Sequence, residues 1–308
     1  YKAQLRELHE AHPSWTFKAS HTGLDWNDVV DNERNKSGQI KNLVQGTSST
    51  PHYNWRSTTI GYSIKTDTWA SFDGNCWFAA SDDLVTYYLD PRVYLYERFV
   101  FAFENLAYED SQSKSGVESI LNGTFMHKSK PSGSNSTYAD LILKAGKAVG
   151  VSPYHIASRI KQEIGSTLST ATNGQHSVYP GIYNFYNIGG FDSVTGNAVT
   201  NALKWASSGS TYGRPWNTVY KSIYGGAQYI GNNYILQKQN TLYTQKFNVT
   251  NTSALYSHQY MTNVQAVSAE ASKVYDAYNG AGTLNKAITF CIPVYKNMPD
   301  SIVNKPAD

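Results

Sequence analysis

Two carboxyl groups stand out because the second half of this chain contains so few others. Between Asp140 and Glu270 the only acidic side chains are those of Glu163 and Asp192, while the same stretch carries nine Lys and Arg residues and many Tyr, Trp and Asn. Carboxyl groups can transfer protons to and from a reacting group when a protein holds them in place. If this stretch does acid–base chemistry, Glu163 and Asp192 are therefore its main candidates.

Glu163 is predicted to lie near the end of a short helix. Ser152 is a good N-cap, Pro153 suits the first helical position, and Gly165 suits the position just past the last turn. These residues predict a helix of about three turns that ends beside the carboxyl group.

The apolar residues of this helix predict which way Glu163 faces. Glu163 shares a face with Ile156, Ile160 and Ile164. A carboxyl group on such a face loses part of its hydration, which favours the protonated form that a general acid needs. Arg159 and Lys161 are expected to point elsewhere. The alternative is a structural role, with a partly buried Glu163 paired to a basic neighbour.

Further motifs follow this helix in a fixed order. They are Tyr-Asn-Phe-Tyr-Asn-Ile-Gly-Gly at 183–190, Tyr-Gly-Arg-Pro-Trp at 212–216, Gly-Gly-Ala at 225–227, Thr-Leu-Tyr-Thr-Gln-Lys-Phe-Asn-Val at 241–249 and His-Gln-Tyr-Met-Thr-Asn at 258–263. In these motifs the chain resembles the glucosaminidases of glycoside hydrolase family 73, which are peptidoglycan-cutting autolysins. The resemblance covers roughly residues 138–290.

The resemblance implies a fold, a reaction and a set of site residues. The implied fold is mainly α within an α+β class: a lysozyme-like helical catalytic domain with a small β-lobe, preceded by a mixed N-terminal region. The implied reaction is hydrolysis of the β-1,4 bond after N-acetylglucosamine and before N-acetylmuramic acid, with Glu163 as general acid. The other predicted catalytic residues are Tyr186 and Asp192, and the predicted substrate-binding residues are Tyr183, Asn184, Asn187, Arg214, Trp216, His258, Gln259 and Tyr260.

The second catalytic group stays open at this point. Residues 165–190 contain no Asp or Glu, so a two-carboxylate mechanism must use Asp192 or an acid from elsewhere. The alternative, which we favour, is attack by the N-acetyl group of the substrate itself. Tyr183, Asn184, Tyr186 and Asn187 could then hold the acetamide. The structural alternatives are a turn or cap role for Asp192 and core packing for the tyrosines.

Composition and charge are consistent with a protein that binds an anionic glycan. The chain has 308 residues, a net charge of +3, a pI near 8.6 and 24 Tyr. Aromatic rings with polar tips suit sugar stacking, and a basic cleft attracts anionic polymers. The predicted partners are peptidoglycan strands and anionic wall polymers, without nucleic acid or membrane. We expect a secreted or wall-bound monomer with no cofactor and no metal.

The chain is predicted to contain three regions. Residues 1–130 form an N-terminal accessory region, 131–292 the glucosaminidase domain, and 293–308 a tail or linker. A capping box of Thr137 and Asp140 predicts the first helix of the second region. Further helices are predicted at 2–12, 26–33, 82–89, 91–108, 116–121, 195–207, 216–230 and 266–278, with a hairpin near 58–64 and a mixed β or loop segment at 236–249.

Two rival functions remain open. Cys76 lies in Gly-Asn-Cys-Trp-Phe-Ala-Ala-Ser at 74–81, which leads into a predicted helix as the nucleophile segment of papain-like peptidases does. The rest of that peptidase signature is missing. Cys76 could instead be a buried thiol or pair with Cys291. The second rival is a non-catalytic wall-binding module, which would need no acid at position 163.

Overall fold

The computed structural model describes residues 1–190 and 197–307. The chain forms two units that interleave along the sequence. The mixed unit consists of Tyr1–Glu104, Lys238–Tyr275 and Ile288–Asp308, and the helical unit consists of Asn105–Gln237 and Asp276–Ala287. These limits differ from those of the predicted regions 1–130, 131–292 and 293–308, which remain predictions.

Helices dominate the described residues. The α-helices are α1 Lys2–Ala11, α2 Trp26–Glu33, α3 Asp82–Leu89, α4 Lys114–Ile120, α5 Tyr138–Val149, α6 Pro153–Ile164, α7 Thr170–Asn173, α8 Ala198–Ser207, α9 Val219–Asn233, α10 Leu242–Lys246 and α11 Ala266–Gly280. Short 3₁₀ helices lie at Tyr53–Trp55, Pro91–Tyr94, Val100–Phe103, Thr211–Gly213 and Ile235–Gln237. Most of the predicted helices are confirmed within a few residues.

The strands belong to the mixed unit. They are β1 Trp15–Asp25, β2 Leu43–Gln45, β3 Tyr62–Ser63, β4 Thr68–Trp69, β5 Trp77–Ala79 and β6 Ile288–Lys296. The ends of the sequence meet in a parallel pair of β1 and β6, in which Trp15 opposes Ile288 and Phe17 opposes Phe290. Antiparallel pairs join β2 to β5 and β3 to β4. The β3–β4 pair is the predicted hairpin, displaced by several residues.

The core of the mixed unit is aromatic. The Trp15 ring lies 5.0 Å from Phe290 and 5.7 Å from Phe101 between ring centroids. Aromatic side chains bury large apolar areas and gain further from tilted and edge contacts. These contacts hold the β1–β6 pair against the 3₁₀ helix Val100–Phe103.

The helical unit is built around α5, which contacts α6 and α9. The predicted capping box is confirmed: Thr137 Oγ1 accepts from the Asp140 amide, and Asp140 Oδ2 accepts from the Thr137 amide. Gly150 ends α5 with φ of 74°. Where the resemblance implies a small β-lobe, the described residues of this unit show an isolated antiparallel bridge between Gln175 and Pro180.

Two secondary-structure predictions are wrong. The segment 91–108, predicted as one helix, forms two short 3₁₀ helices, and Val100–Phe103 is completely buried. The segment 236–249, predicted as β or loop, contains α10, which begins at a capping box of Thr241 and Thr244. Apolar composition cannot distinguish a buried helix from a buried turn, and side-chain caps start helices that periodicity alone misses.

Candidate active site

The helix that carries Glu163 forms as predicted. Ser152 Oγ accepts from the His155 amide at 3.2 Å, Pro153 occupies the first turn, and Gly165 follows the last residue of α6 with φ of 70°. Ile156 and Ile160 are completely buried, while the Glu163 side chain remains 32% exposed. Glu163 therefore lies at the edge of the apolar face, where solvent or a ligand can reach its carboxylate.

The Glu163 carboxylate is paired with Arg159, which corrects the prediction that Arg159 points elsewhere. Arg159 Nη2 lies 3.2 Å from Glu163 Oε1, and the two residues are four apart on one helix. Side chains at this spacing are neighbours on a helix surface. Arg159 Nη1 also lies 3.5 Å from Gln162 Oε1. Lys161 does point away, since its Nζ donates to the carbonyls of Ile120 and Asn122.

The Arg159 charge also acts on two other groups in this unit. Burial, with a smaller contribution from Arg159, lowers the pKa of His155 to about 3. His155 is therefore neutral at physiological pH and adds no second cation beside Arg159. Burial raises the pKa of Tyr186 well above its usual range, and the Arg159 charge opposes that shift.

The motif at 183–190 meets the end of α6 through Asn187. Its Nδ2 donates to the backbone carbonyl of Glu163 at 2.5 Å. Asn187 has φ of 50°, a left-handed conformation that Asn adopts more readily than most residues. Asn187 therefore fixes the backbone of the predicted acid.

The other predicted site residues of this motif differ in how deeply they are buried. Tyr186 is 5% exposed, and its hydroxyl donates to the Ile223 carbonyl at 2.9 Å, so its ring packs in the core, and its catalytic role stays a prediction. Asn184 is completely buried and its Nδ2 donates to the carbonyls of Ile188 and Ala202. A side chain enclosed in this way cannot reach a sugar without rearrangement. Tyr183 is half-buried and remains accessible.

The 212–216 motif is held together by its own side chains. Trp216 is completely buried and its Nε1 donates to the Tyr212 carbonyl at 2.8 Å, so it packs in the core, and its substrate-binding role stays a prediction. The Arg214 guanidinium lies 3.9 Å from the Trp205 ring centroid and donates to Thr211 Oγ1 and the Trp205 carbonyl. Arg214 is therefore largely committed to protein contacts.

Three predicted substrate-binding residues belong to the mixed unit. His258 is exposed, Gln259 is half-buried and Tyr260 is 52% exposed. Gln259 Nε2 donates to Glu33 Oε2 at 2.9 Å. Sequence reasoning missed this buried carboxyl group, because nothing in the local pattern of α2 connects it to residues more than 200 positions away. Asp192, the remaining predicted catalytic residue, lies outside the described residues.

Cys76 lacks the setting of a peptidase nucleophile. It precedes the strand β5 and not the helix α3, which begins six residues later at Asp82. Its sulfur lies 3.8 Å from Gln45 Nε2, and neither Cys76 nor Cys291 forms a disulfide. A thiol before a strand gains no activation from a helix N-terminus. This placement removes the feature on which the peptidase alternative was based.

A cavity of about 830 Å³ lies in the helical unit. It is lined in part by Lys114, Glu118, His127 and Lys128, and none of the predicted site residues lines it. Lys114 pairs with Asp140 at 2.8 Å, and Glu118 Oε2 accepts from the Lys128 amide. Lys114 and Glu118 thus each have a partner among the neighbouring groups.

Within residues 1–190 and 197–307, no helix is long and apolar enough to cross a membrane. Over the same ranges, no three His, Cys, Asp or Glu side chains are grouped to hold a metal ion.

Comparison with known proteins links this chain to bacterial autolysins. No family model matches the chain. It is 30% identical over 161 residues to a bifunctional autolysin of Staphylococcus epidermidis and 28% identical over 158 residues to one of Staphylococcus aureus. Each match covers 50% of this chain but only 11% or 12% of the relative. The chain therefore spans a small part of the length of these relatives.

Two solved structures have a similar fold. A major bifunctional autolysin matches with a TM-score of 0.60 and 23% identity over 91% of this chain and 98% of that one. Glucosaminidase B of S. aureus matches with a TM-score of 0.63 and 22% identity over 91% of this chain and 94% of that one. These comparisons confirm the α+β, lysozyme-like fold and the resemblance of this chain to the glucosaminidases of glycoside hydrolase family 73.

Proposed function

We propose that this chain is a peptidoglycan hydrolase that cleaves the β-1,4 bond between N-acetylglucosamine and N-acetylmuramic acid, with Glu163 as general acid. The observation that carries the proposal is the placement of Glu163. Its carboxylate is partly exposed at the end of a capped helix, and Asn187 of the motif segment anchors its backbone. The named autolysins and glucosaminidase support the same reaction class, and an autolysin acts at the cell wall.

In this mechanism Arg159 stabilises the negative charge that Glu163 acquires when it gives up its proton. Glu163 protonates the oxygen that leaves when the glycosidic bond breaks. The carboxylate that remains is stabilised by Arg159 Nη2, which lies 3.2 Å from Glu163 Oε1. While Glu163 still carries its proton, Arg159 can share its donors with Gln162 Oε1. Arg159 therefore compensates the negative charge that forms on the acid during each cleavage.

We expect reaction products to carry N-acetylglucosamine at their reducing end. Purified peptidoglycan is digested with the full chain, the fragments are reduced with borohydride, and mass spectrometry identifies the reduced sugar. Reduced N-acetylmuramic acid would show that the wrong bond had been assigned. Cleavage within the stem peptide, with intact glycan strands, would exclude a glycosidase altogether.

For the group that displaces the leaving oxygen we propose substrate assistance. The acetamide oxygen of the substrate attacks the anomeric carbon while the glycosidic bond breaks and Glu163 protonates the leaving oxygen. Water then opens the cyclised intermediate and gives a proton back to the Glu163 carboxylate. The region 165–190 offers no second carboxylate. We therefore expect Asp192→Asn to reduce turnover much less than Glu163→Gln does, and a thiazoline derived from N-acetylglucosamine to inhibit, because it resembles the cyclised intermediate. Equal losses in both variants, without thiazoline inhibition, would assign the role of nucleophile or base to Asp192.

A further inference from the structure

In the mixed unit, three buried polar side chains converge on one short segment. The segment is His258–Thr262, here called the strap. The side chains beneath it are those of Glu33, Gln239 and Lys246, and each of these residues is completely buried. Glu33 ends α2, whereas Gln239 and Lys246 belong to the segment that contains α10, so the meeting of these two parts of the chain beneath the strap is a product of the tertiary fold.

Gln239 and Glu33 hold the first half of the strap. Gln239 Nε2 donates to the His258 carbonyl at 3.0 Å, and Gln239 Oε1 lies 2.8 Å from His258 Nδ1. Glu33 Oε2 accepts from Gln259 Nε2 at 2.9 Å. The His258 backbone, with φ of 58°, and the Gln259 side chain are thus each bound to a residue that cannot move without opening the core.

Lys246 holds the second half. Its Nζ donates to the carbonyls of Met261 at 3.1 Å and Thr262 at 3.3 Å. The Tyr260 amide donates to the Gln245 carbonyl at 2.9 Å, and the Thr262 carbonyl accepts from the Leu43 amide at 2.8 Å. Every residue of the strap therefore has at least one hydrogen bond to the protein beneath it.

Burying the charged groups of Glu33 and Lys246 removes them from water, which disfavours their charged forms, so packing alone does not explain why they are there. Burial raises the pKa of Glu33, and the ammonium groups of Lys41 and Lys246 oppose that shift. Burial lowers the pKa of Lys246, and Glu33 opposes that shift. Well-packed apolar side chains often stabilise a core as well as buried ionic groups do. Apolar side chains could not form the hydrogen bonds that hold the strap at specific atoms. Tyr260 of the strap nevertheless stays 52% exposed.

We propose that Glu33, Gln239 and Lys246 are positioning residues that hold the strap in one preformed geometry for binding a peptidoglycan glycan strand. The inference rests on the proposed function, since the strap contains the predicted substrate-binding residues His258, Gln259 and Tyr260. Preorganisation of a binding surface strengthens binding because little freedom is lost when the ligand docks. The three buried residues act through the strap and do not touch the ligand themselves.

Binding without turnover tests this proposal. The full chain carrying Glu163→Gln is mixed with insoluble peptidoglycan, and the bound fraction is measured by pelleting. In this background we expect Gln259→Leu and Glu33→Leu each to weaken binding roughly tenfold, the effect of losing one hydrogen bond to a charged group. The double variant is expected to lose no more than either single variant, because both remove the same link.

Conservative and matched variants separate positioning from folding. Glu33→Gln keeps an acceptor oxygen for Gln259 and should retain binding near that of the background. Asp90→Asn removes the charge of another buried carboxylate of the mixed unit, which pairs with Arg92 at 2.7 Å and is bound by nothing in the strap. It should lower the melting temperature while leaving binding unchanged. If Glu33→Leu fails to fold, Gln239→Leu tests the same strap through His258.

The outcomes distinguish this inference from the proposed function. Unchanged binding in folded Glu33→Leu and Gln239→Leu, beside weaker binding in Gln259→Leu, overturns the positioning role and leaves the reaction intact. Additive losses in the double variant also overturn it. A Glu163→Gln background that does not bind peptidoglycan overturns both the positioning role and the proposed substrate, whereas the reducing-end analysis alone decides which bond is cut.

Discussion

Glu163→Gln is expected to fold normally and to lose glycan cleavage by roughly 10²–10⁴-fold, the usual worth of a general acid. Gln keeps the shape of Glu and can still accept from Arg159 Nη2, so the end of α6 should be preserved. It cannot give a proton to the leaving oxygen. The rate of reducing-sugar release from peptidoglycan, measured at matched concentrations of folded protein, checks this expectation.

Glu270→Gln is the matched control. Glu270 is also a helical, partly exposed glutamate, with 27% of its side chain exposed and Lys273 at 2.8 Å. The same isosteric change there should leave cleavage near the wild-type rate. If Glu163→Gln kept more than about a tenth of the activity, or if Glu270→Gln lost as much, Glu163 would not be the acid.

Gly226→Ala is expected to destabilise the protein by about 3 kcal/mol or more, at the upper end of the range for overpacked cores. A Cβ atom at Gly226 would lie 2.0 Å from Tyr186 Cδ2 and 2.1 Å from Cε2. The Tyr186 ring cannot simply turn aside, because it is buried and its hydroxyl is bound to the Ile223 carbonyl. Chemical denaturation of the variant and the wild type measures the difference in the free energy of unfolding, provided that both show the same dependence on denaturant concentration.

Gly280→Ala provides the control for this substitution. Gly280 is the last residue of α11 and belongs to the helical unit, but nothing would lie within 4 Å of its new Cβ atom. Because Ala has the higher helix propensity, this variant should be unchanged or more stable by up to about 1 kcal/mol. A stable Gly226→Ala protein would mean that α9 and the Tyr186 ring are not packed as described.

Local signals in the sequence determined the framework of the predicted acid. The Ser152 cap, Pro153 and Gly165 predicted both ends of α6, and Thr137 with Asp140 predicted the start of α5. These features depend on hydrogen bonds within three or four residues, so no distant contact is needed to specify them. The Arg159–Glu163 pair is local in the same sense, and its i, i+4 spacing agrees with the alternative in which Glu163 is paired to a basic neighbour.

Burial was decided by the tertiary structure. Tyr186 and Trp216 belong to motifs that suggested ligand contact, yet both are enclosed, and the glycines of α9 provide the space for them. An aromatic residue with a polar tip serves equally well in a core or in a sugar-binding cleft. Its residue type therefore cannot say which surface it covers until the neighbouring helix is in place.

The sequence by itself determined the capped helices, the position of Glu163 on α6 and the resemblance to a glycosidase family. Only the tertiary structure decided which motif residues remain accessible, and only it brought Glu33, Gln239 and Lys246 together beneath the strap. The physical reason is the range of the interactions. Caps and helical periodicity act over a few residues, whereas buried polar contacts join residues up to 226 positions apart and exist only after the chain has folded.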